Sequence, residues 1–227
     1  MYLWFETIAL RSPGYALMVA LGLLAAGVVF RMFPIETPDK QGFVLFPAVV
    51  GLLIGAKLPV IISYGWNDAI MNMGKSLLGG LMGAYIAVRL AKQLRGIPWV
   101  GGGDAYVLPI SIAVALGRVG CLFNGCCMGK NGFPAPVLEI GFHLTMFGLV
   151  LFWRQRRILA GSWFPLYMLS YCIFRFCVEF IRTEPHVFAG LTAYHWLSLL
   201  GIMLFTMELR YRRRRDKETG YEQRPME

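Results

Sequence analysis

Seven apolar runs divide the chain, at about 14–33, 42–63, 75–94, 105–124, 136–153, 160–181 and 192–208. Each is close to the ~20 residues a helix needs to cross ~30 Å of hydrocarbon. The segments between them are too short to hold a separate soluble domain. Breakers mark the ends: Pro34 and Pro38, Gly65, Gly96 with Pro98, Gly129 with Gly132 and Pro134, and Gly161. The pattern predicts an all-α integral membrane protein of seven transmembrane helices. They form one membrane domain, residues 1–208, followed by a basic tail, 209–227. No internal repeat is visible. The first run has no basic n-region and no A-x-A site before the second, so it reads as a span and not as a cleavable signal peptide.

Composition agrees with the pattern. The 227 residues are 57% hydrophobic and 15% charged, with a mean hydropathy of +0.56, whereas soluble domains average roughly 45–50% apolar and about 25% charged. Sixteen phenylalanines and twelve methionines exclude disorder, and five cysteines are too few for a disulfide scaffold. The net charge of +9 is distributed by side. With the basic tail in the cytoplasm and the N-terminus outside, fifteen of the 22 basic residues fall on inner segments and four on outer ones. That asymmetry follows the positive-inside rule. The charge is therefore a topology signal with some affinity for anionic lipid heads, and a nucleic-acid partner is not needed to explain it.

Chemistry is expected where ionisable groups enter apolar runs, because such groups face a partner or a wet cavity. In the sixth run Tyr171, Arg175, Glu179 and Arg182 are spaced by four, four and three residues, which puts them on one helical face. Arg175 and Glu179 can pair, and a guanidinium fork at Arg182 suits a phosphate. At the end of the fourth run, Arg118 precedes Gly120, Cys121, Asn124, Gly125, Cys126, Cys127 and Gly129, where glycines let the backbone unwind or approach a ligand. Small-residue helix packing accounts for these glycines equally well, but not for the arginine. Glu139 opens the fifth run, where a helix dipole favours a carboxylate, and His143 lies one turn further on. Each of these charges also has a bland reading as a structural ion pair.

These residues resemble the prolipoprotein diacylglyceryl transferase family over about residues 11–205. Arg11-Ser-Pro-Gly-Tyr15-Ala-Leu-Met is similar to the family's RWYGLM, Leu78-Gly79-Gly80-Leu-Met-Gly83 to HGGLxG, and Gly117-Arg118-Val-Gly120 through Gly129 to GRxGNFxNxExxG. Pro134 to Glu139 resembles HPxxLYE, Phe174 to Arg182 resembles FRFxVEFxR, and Leu191-Thr192 onward resembles LTxxQxxSL. Asp104 matches an aspartate heading the fourth span. The sequence departs from the pattern at Leu78, where the family has histidine, at Cys121 for asparagine, and at Cys126 for glutamate. Pro13-Gly14 looks inserted before Tyr15.

The resemblance implies seven spans with the N-terminus outside, in the bacterial plasma (inner) membrane. It implies transfer of the diacylglyceryl group of phosphatidylglycerol to the lipobox cysteine of a preprolipoprotein, without metal or cofactor. The matched positions imply that Arg118 and Arg175 hold the donor phosphate, Glu179 orients Arg175, and Glu139 buttresses the pocket. Tyr15, Gly79, Gly80, Asn124, Gly125, Gly129, Tyr171 and Arg182 are then the expected substrate-binding positions. With Leu78 unable to activate a thiol, His195, His143, Cys121 and Cys126 are the candidate bases or thiols. The cysteines can equally be packing groups or a disulfide, and a four-ligand zinc site lacks the usual C-x2-4-C pairs. Two other functions stay open: a divergent enzyme with the same donor and another acceptor, and a phospholipid-binding membrane protein without chemistry.

Overall fold

The computed structural model describes residues 13–35, 41–67, 75–97 and 102–218. Among them are seven α-helices: α1 Pro13–Met32, α2 Gln41–Tyr64, α3 Leu77–Leu94, α4 Val107–Phe123, α5 Ala135–Gln155, α6 Trp163–Glu179 and α7 Ala193–Glu218. All seven apolar runs are helical. Four helices (α1, α2, α4 and α5) are long and apolar enough to cross a membrane, α4 counted with the 3-10 turn Gly103–Tyr106 that leads into it. Arg11 of the first motif lies outside the described residues.

Local sequence sets the helix ends. Ser76 caps α3, its Oγ accepting from the Gly79 N–H at 3.0 Å. Asp104 lies in that 3-10 turn and accepts from the Phe164 N–H at 2.9 Å, which ties the entry of α4 to the first turn of α6. Proline opens α5. Between α6 and α7 a short antiparallel hairpin, β1 His186–Phe188 and β2 Leu191–Thr192, turns through Ala189 and Gly190, both at positive φ.

The core is built from α3, α4, α5, α6 and α7, with Leu78, Met82, Leu108, Trp163, Tyr167 and Phe205 almost fully buried. Around it α1 packs on α4, and α2 packs on α3. The outer helices turn leucines and phenylalanines outward: Leu23, Leu24 and Val28 on α1, and Leu45, Phe46 and Leu53 on α2, are all exposed. An apolar patch of that extent suits contact with lipid and not with water.

The α2–α3 seam is a small-residue interface. A Cβ added at Gly51 or Gly55 meets backbone of Gly83 or Gly79, and the reverse holds for Gly79 and Gly83. Two pairs of glycines four residues apart thus let the helix backbones touch, the packing device favoured between membrane helices.

One end of the bundle is locked by charge. Glu208 on α7 accepts from Tyr85 on α3 and from Arg212, while Arg212 also donates to the Gly161 carbonyl. Arg89 approaches the same carboxylate at 3.7 Å. The other end holds the site.

Candidate active site

Five helix ends meet around a cavity of about 370 Å³. Its wall includes Val60 and Tyr64 from the end of α2, Lys75 and Ser76 before α3, Arg118 from α4, Cys127 from the following turn, Arg175 from α6, Arg182 and Glu184 beyond it, and Tyr194 from α7. Four cations and one carboxylate contribute to this wall. It lies at helix ends and brings cations together with apolar side chains, a setting for an anionic group carried on an apolar body.

Glu139 is the hinge of the arrangement. Fully buried in the first turns of α5, it takes Arg118 Nε on Oε2 at 2.6 Å and Arg175 Nη1 on Oε1 at 3.3 Å. Arg175 Nη2 then reaches Glu179 at 2.8 Å, one turn along α6. Glu179 also accepts from the Thr192 hydroxyl at 2.9 Å and lies 3.6 Å from Arg182 Nε. Arg182 continues the chain to Glu184 at 2.7 Å, and Tyr64 donates to the same carboxyl at 2.6 Å. Three guanidinium groups are therefore fixed in orientation by three carboxylates while each still forms cavity wall. Burial pushes the Glu184 carboxyl up, but the hydrogen bonds from Tyr64 and Arg182 and the charge of Arg182 prevail and hold it below the ordinary range.

The expected pairing of Arg175 with Glu179 is present. Arg118 and Arg175, from different helices, converge through Glu139. The possible Glu139–His143 pair does not form: His143 is fully buried and shares Nδ1 with the Tyr167 hydroxyl at 3.0 Å. His195 is turned into the α7 cap, with Nδ1 3.2 Å from the Thr192 N–H and its ring against Phe176 and Phe180. Neither histidine is part of the cavity wall.

Several expected substrate-binding positions are not themselves cavity wall. Gly79 faces α2 in the glycine seam, and Gly80 packs toward Leu52 and Ala56 of that helix. Tyr171 is fully buried beside His143 and Phe142, behind the wall and within reach of Arg118. Tyr15 is partly exposed and lays its ring on Gly120, while Asn124 and Gly125 form the exposed turn after α4. Gly129 is structural: it pairs with Arg182 in a β-bridge, and a side chain there would strike the Ile181 carbonyl. That bridge fixes the turn after α4 against the end of α6, and Arg182 Nη1 reinforces it by donating to the Cys127 carbonyl at 3.3 Å. Leu78, where the family has histidine, is core.

Sequence reasoning missed Tyr64, Lys75, Glu184 and Tyr194. The charge on Lys75 and Glu184 was visible, but each looked like an ordinary loop residue until the fold brought it to the cavity. It also left Cys127 off the candidate list, although this thiol lies in the wall beside Cys121 and Cys126. Its pKa is pulled down to about 5, first by a hydrogen bond from Cys121 and then by the charges of Arg118 and Arg182, against its burial.

A profile of the prolipoprotein diacylglyceryl transferase family matches residues 4–211. Curated relatives named phosphatidylglycerol–prolipoprotein diacylglyceryl transferase include that of Methylococcus capsulatus, 27% identical over 88% of this chain and 88% of the relative. Another from Clostridium tetani is 26% identical over 90% and 96%, and one from Pseudomonas aeruginosa is 29% identical over 88% and 86%. The match runs through every helix that builds the cavity, and the chain belongs to the prolipoprotein diacylglyceryl transferase family.

Proposed function

We propose that this membrane protein transfers the diacylglyceryl group of phosphatidylglycerol to the cysteine thiol of a prolipoprotein. The observation that carries the reading is the Glu139-bridged pair of Arg118 and Arg175 in the wall of a cavity at the helix ends. Phosphatidylglycerol has one anionic phosphate on a two-tailed apolar body, and this cavity offers forked donors to the first and lipid access to the second.

In the reaction the acceptor sulfur attacks the glyceryl carbon that bears the phosphate ester. The carbon–oxygen bond breaks, and the electron pair leaves with glycerol phosphate. Charge grows on the phosphate oxygens as that bond lengthens. Guanidinium donors already fixed by Glu139 and Glu179 stabilise it without reorganising, which is where electrostatic catalysis acts most strongly. Arg182, tied to Glu184, extends the cationic wall toward the glycerol end of the headgroup.

The reading carries a topology. The seven helices each cross the bilayer, with the N-terminus outside and the C-terminus in the cytoplasm of a bacterial cell. The protein is a multi-pass protein of the plasma (inner) membrane. Arg89, Lys92, Arg154, Arg156 and the basic run of α7 then face the cytoplasm, and the cavity opens under the outer leaflet, where an exported peptide meets it.

The test incubates purified protein with labelled phosphatidylglycerol, with and without a lipobox peptide. Peptide-dependent release of glycerol phosphate and a matching mass gain on the peptide supports the reading. Saturable lipid binding without turnover would leave a lipid-binding protein instead.

A further inference from the structure

Cys121, Cys126 and Cys127 bring three sulfur atoms within 4.8 Å of one another, and no fourth histidine, cysteine or carboxylate joins them among the described residues. The Cys126 and Cys127 sulfurs are 3.7 Å apart and all three thiols are free. Three thiolates around one zinc ion at about 2.3 Å, in tetrahedral directions, stand about 3.8 Å from each other. The cluster is close to that spacing without being a disulfide.

The backbone is bent to make it so. Neighbouring residues of an extended chain point opposite ways. Here Gly125 has φ +61 and Cys127 has φ +63, and the chain coils so that adjacent side chains share one space with Cys121 from the last turn of α4. A left-handed non-glycine residue is costly and is found where surrounding structure insists on it. Hydrogen bonding from the Cys126 N–H to the Cys121 carbonyl and the Gly129–Arg182 bridge hold the turn.

Charge fits too. A divalent ion with three thiolates carries a net charge of −1, and Arg118 Nη1 lies 3.8 Å from the Cys121 sulfur and 3.9 Å from that of Cys127. One guanidinium therefore offsets the complex and donates toward two of its sulfurs, as supporting groups around metal-bound thiolates do. Cys127 and Arg118 are both cavity wall, so a fourth coordination position beside them faces the substrate space. Three protein ligands and one open position is the arrangement of catalytic zinc.

We propose that Cys121, Cys126 and Cys127 bind a zinc-class divalent ion whose open position takes the acceptor thiol. The ion stands in for the base that Leu78 does not supply, and the role rests on the function proposed above. The thiol binds as thiolate and its proton passes to solvent. The sulfur lone pair then forms the bond to the glyceryl carbon as the carbon–oxygen bond breaks toward glycerol phosphate. The neutral thioether, a poorer ligand, leaves the ion.

The test uses the full-length protein in detergent. Cobalt(II) added to metal-free protein is expected to bind one ion per chain, with thiolate-to-cobalt charge-transfer bands and the intense visible bands of a tetrahedral site. Cys126→Ser is expected to weaken binding about tenfold or more, while Cys177→Ser, exposed on α6 outside the cluster, does not. Adding a lipobox peptide should raise the charge-transfer intensity by a fourth thiolate, and the same peptide with serine for its cysteine should not. Zinc removal should abolish transfer, and zinc should restore it. Absence of cobalt bands in the wild-type protein, equal binding by Cys126→Ser, a spectrum indifferent to the peptide, or transfer that survives zinc removal overturns the proposal. A peptide-dependent spectrum without any diacylglyceryl transfer leaves the thiol site standing and removes the proposed function instead.

Discussion

Glu139 has no exposed surface and bonds guanidinium groups from two different helices. Its removal would take away the carboxylate that Arg118 pairs with and leave Arg175 held by Glu179 alone. Glu139→Gln keeps the shape and loses the charge, so it is expected to destabilise the protein by about 3–5 kcal/mol, the cost of breaking a buried pair from one side. Thermal unfolding in detergent measures it; an unchanged transition would show that the arginines do not depend on this carboxylate. At this scale the sequence was most informative about charges inside apolar runs, because the membrane makes each one conspicuous. It was least informative about Tyr64, Lys75, Glu184 and Tyr194, which come from four separate segments and share no local pattern. His143 and His195 are polar groups in an apolar bundle; each engages a neighbouring hydroxyl through Nδ1, and neither forms cavity wall.

The helices themselves were readable from hydropathy, while the place of their glycines in the packing was not. Gly79 and Gly80 read as substrate contacts by motif and lie in the α2–α3 seam; the four-residue glycine spacings at Gly51/Gly55 and Gly79/Gly83 are its trace in the sequence. The seam makes a sharp contrast with α5. Gly83→Ala puts a methyl group against the Gly51 carbonyl and Gly55 and is expected to cost about 1–3 kcal/mol by overpacking. Gly148→Ala on α5 meets nothing within 4 Å and is expected to be neutral or to gain up to about 1 kcal/mol through helix propensity. Comparing the two melting transitions decides it; the reverse order would contradict the seam.

Across the whole molecule, charge gathers at both ends of the bundle, and the cavity lies at one of them. Arg89, Lys92, Arg154 and Arg212 gather at one end of the bundle, and Arg118, Arg175 and Arg182 at the other. In the proposed orientation the first group faces the inner leaflet and the second lies beneath the outer one. Reporter fusions after Glu227 are expected to report the cytoplasm, and impermeant labelling of a cysteine introduced at Lys130 in a background lacking the native cysteines is expected from the outside. Labelling only after lysis would invert the proposed orientation. Charge asymmetry in the sequence carried this expectation; the convergence of two arginines on one carboxylate did not follow from it, since it depends on how α4, α5 and α6 pack. That convergence is the central claim, and peptide-dependent release of glycerol phosphate from phosphatidylglycerol by Arg118→Ala and Arg175→Ala tests it most directly. The account predicts correctly inserted proteins whose turnover falls by about 10²–10³ or more, the loss expected when a preorganised oxyanion donor is removed. Turnover at the wild-type rate in either variant would contradict it.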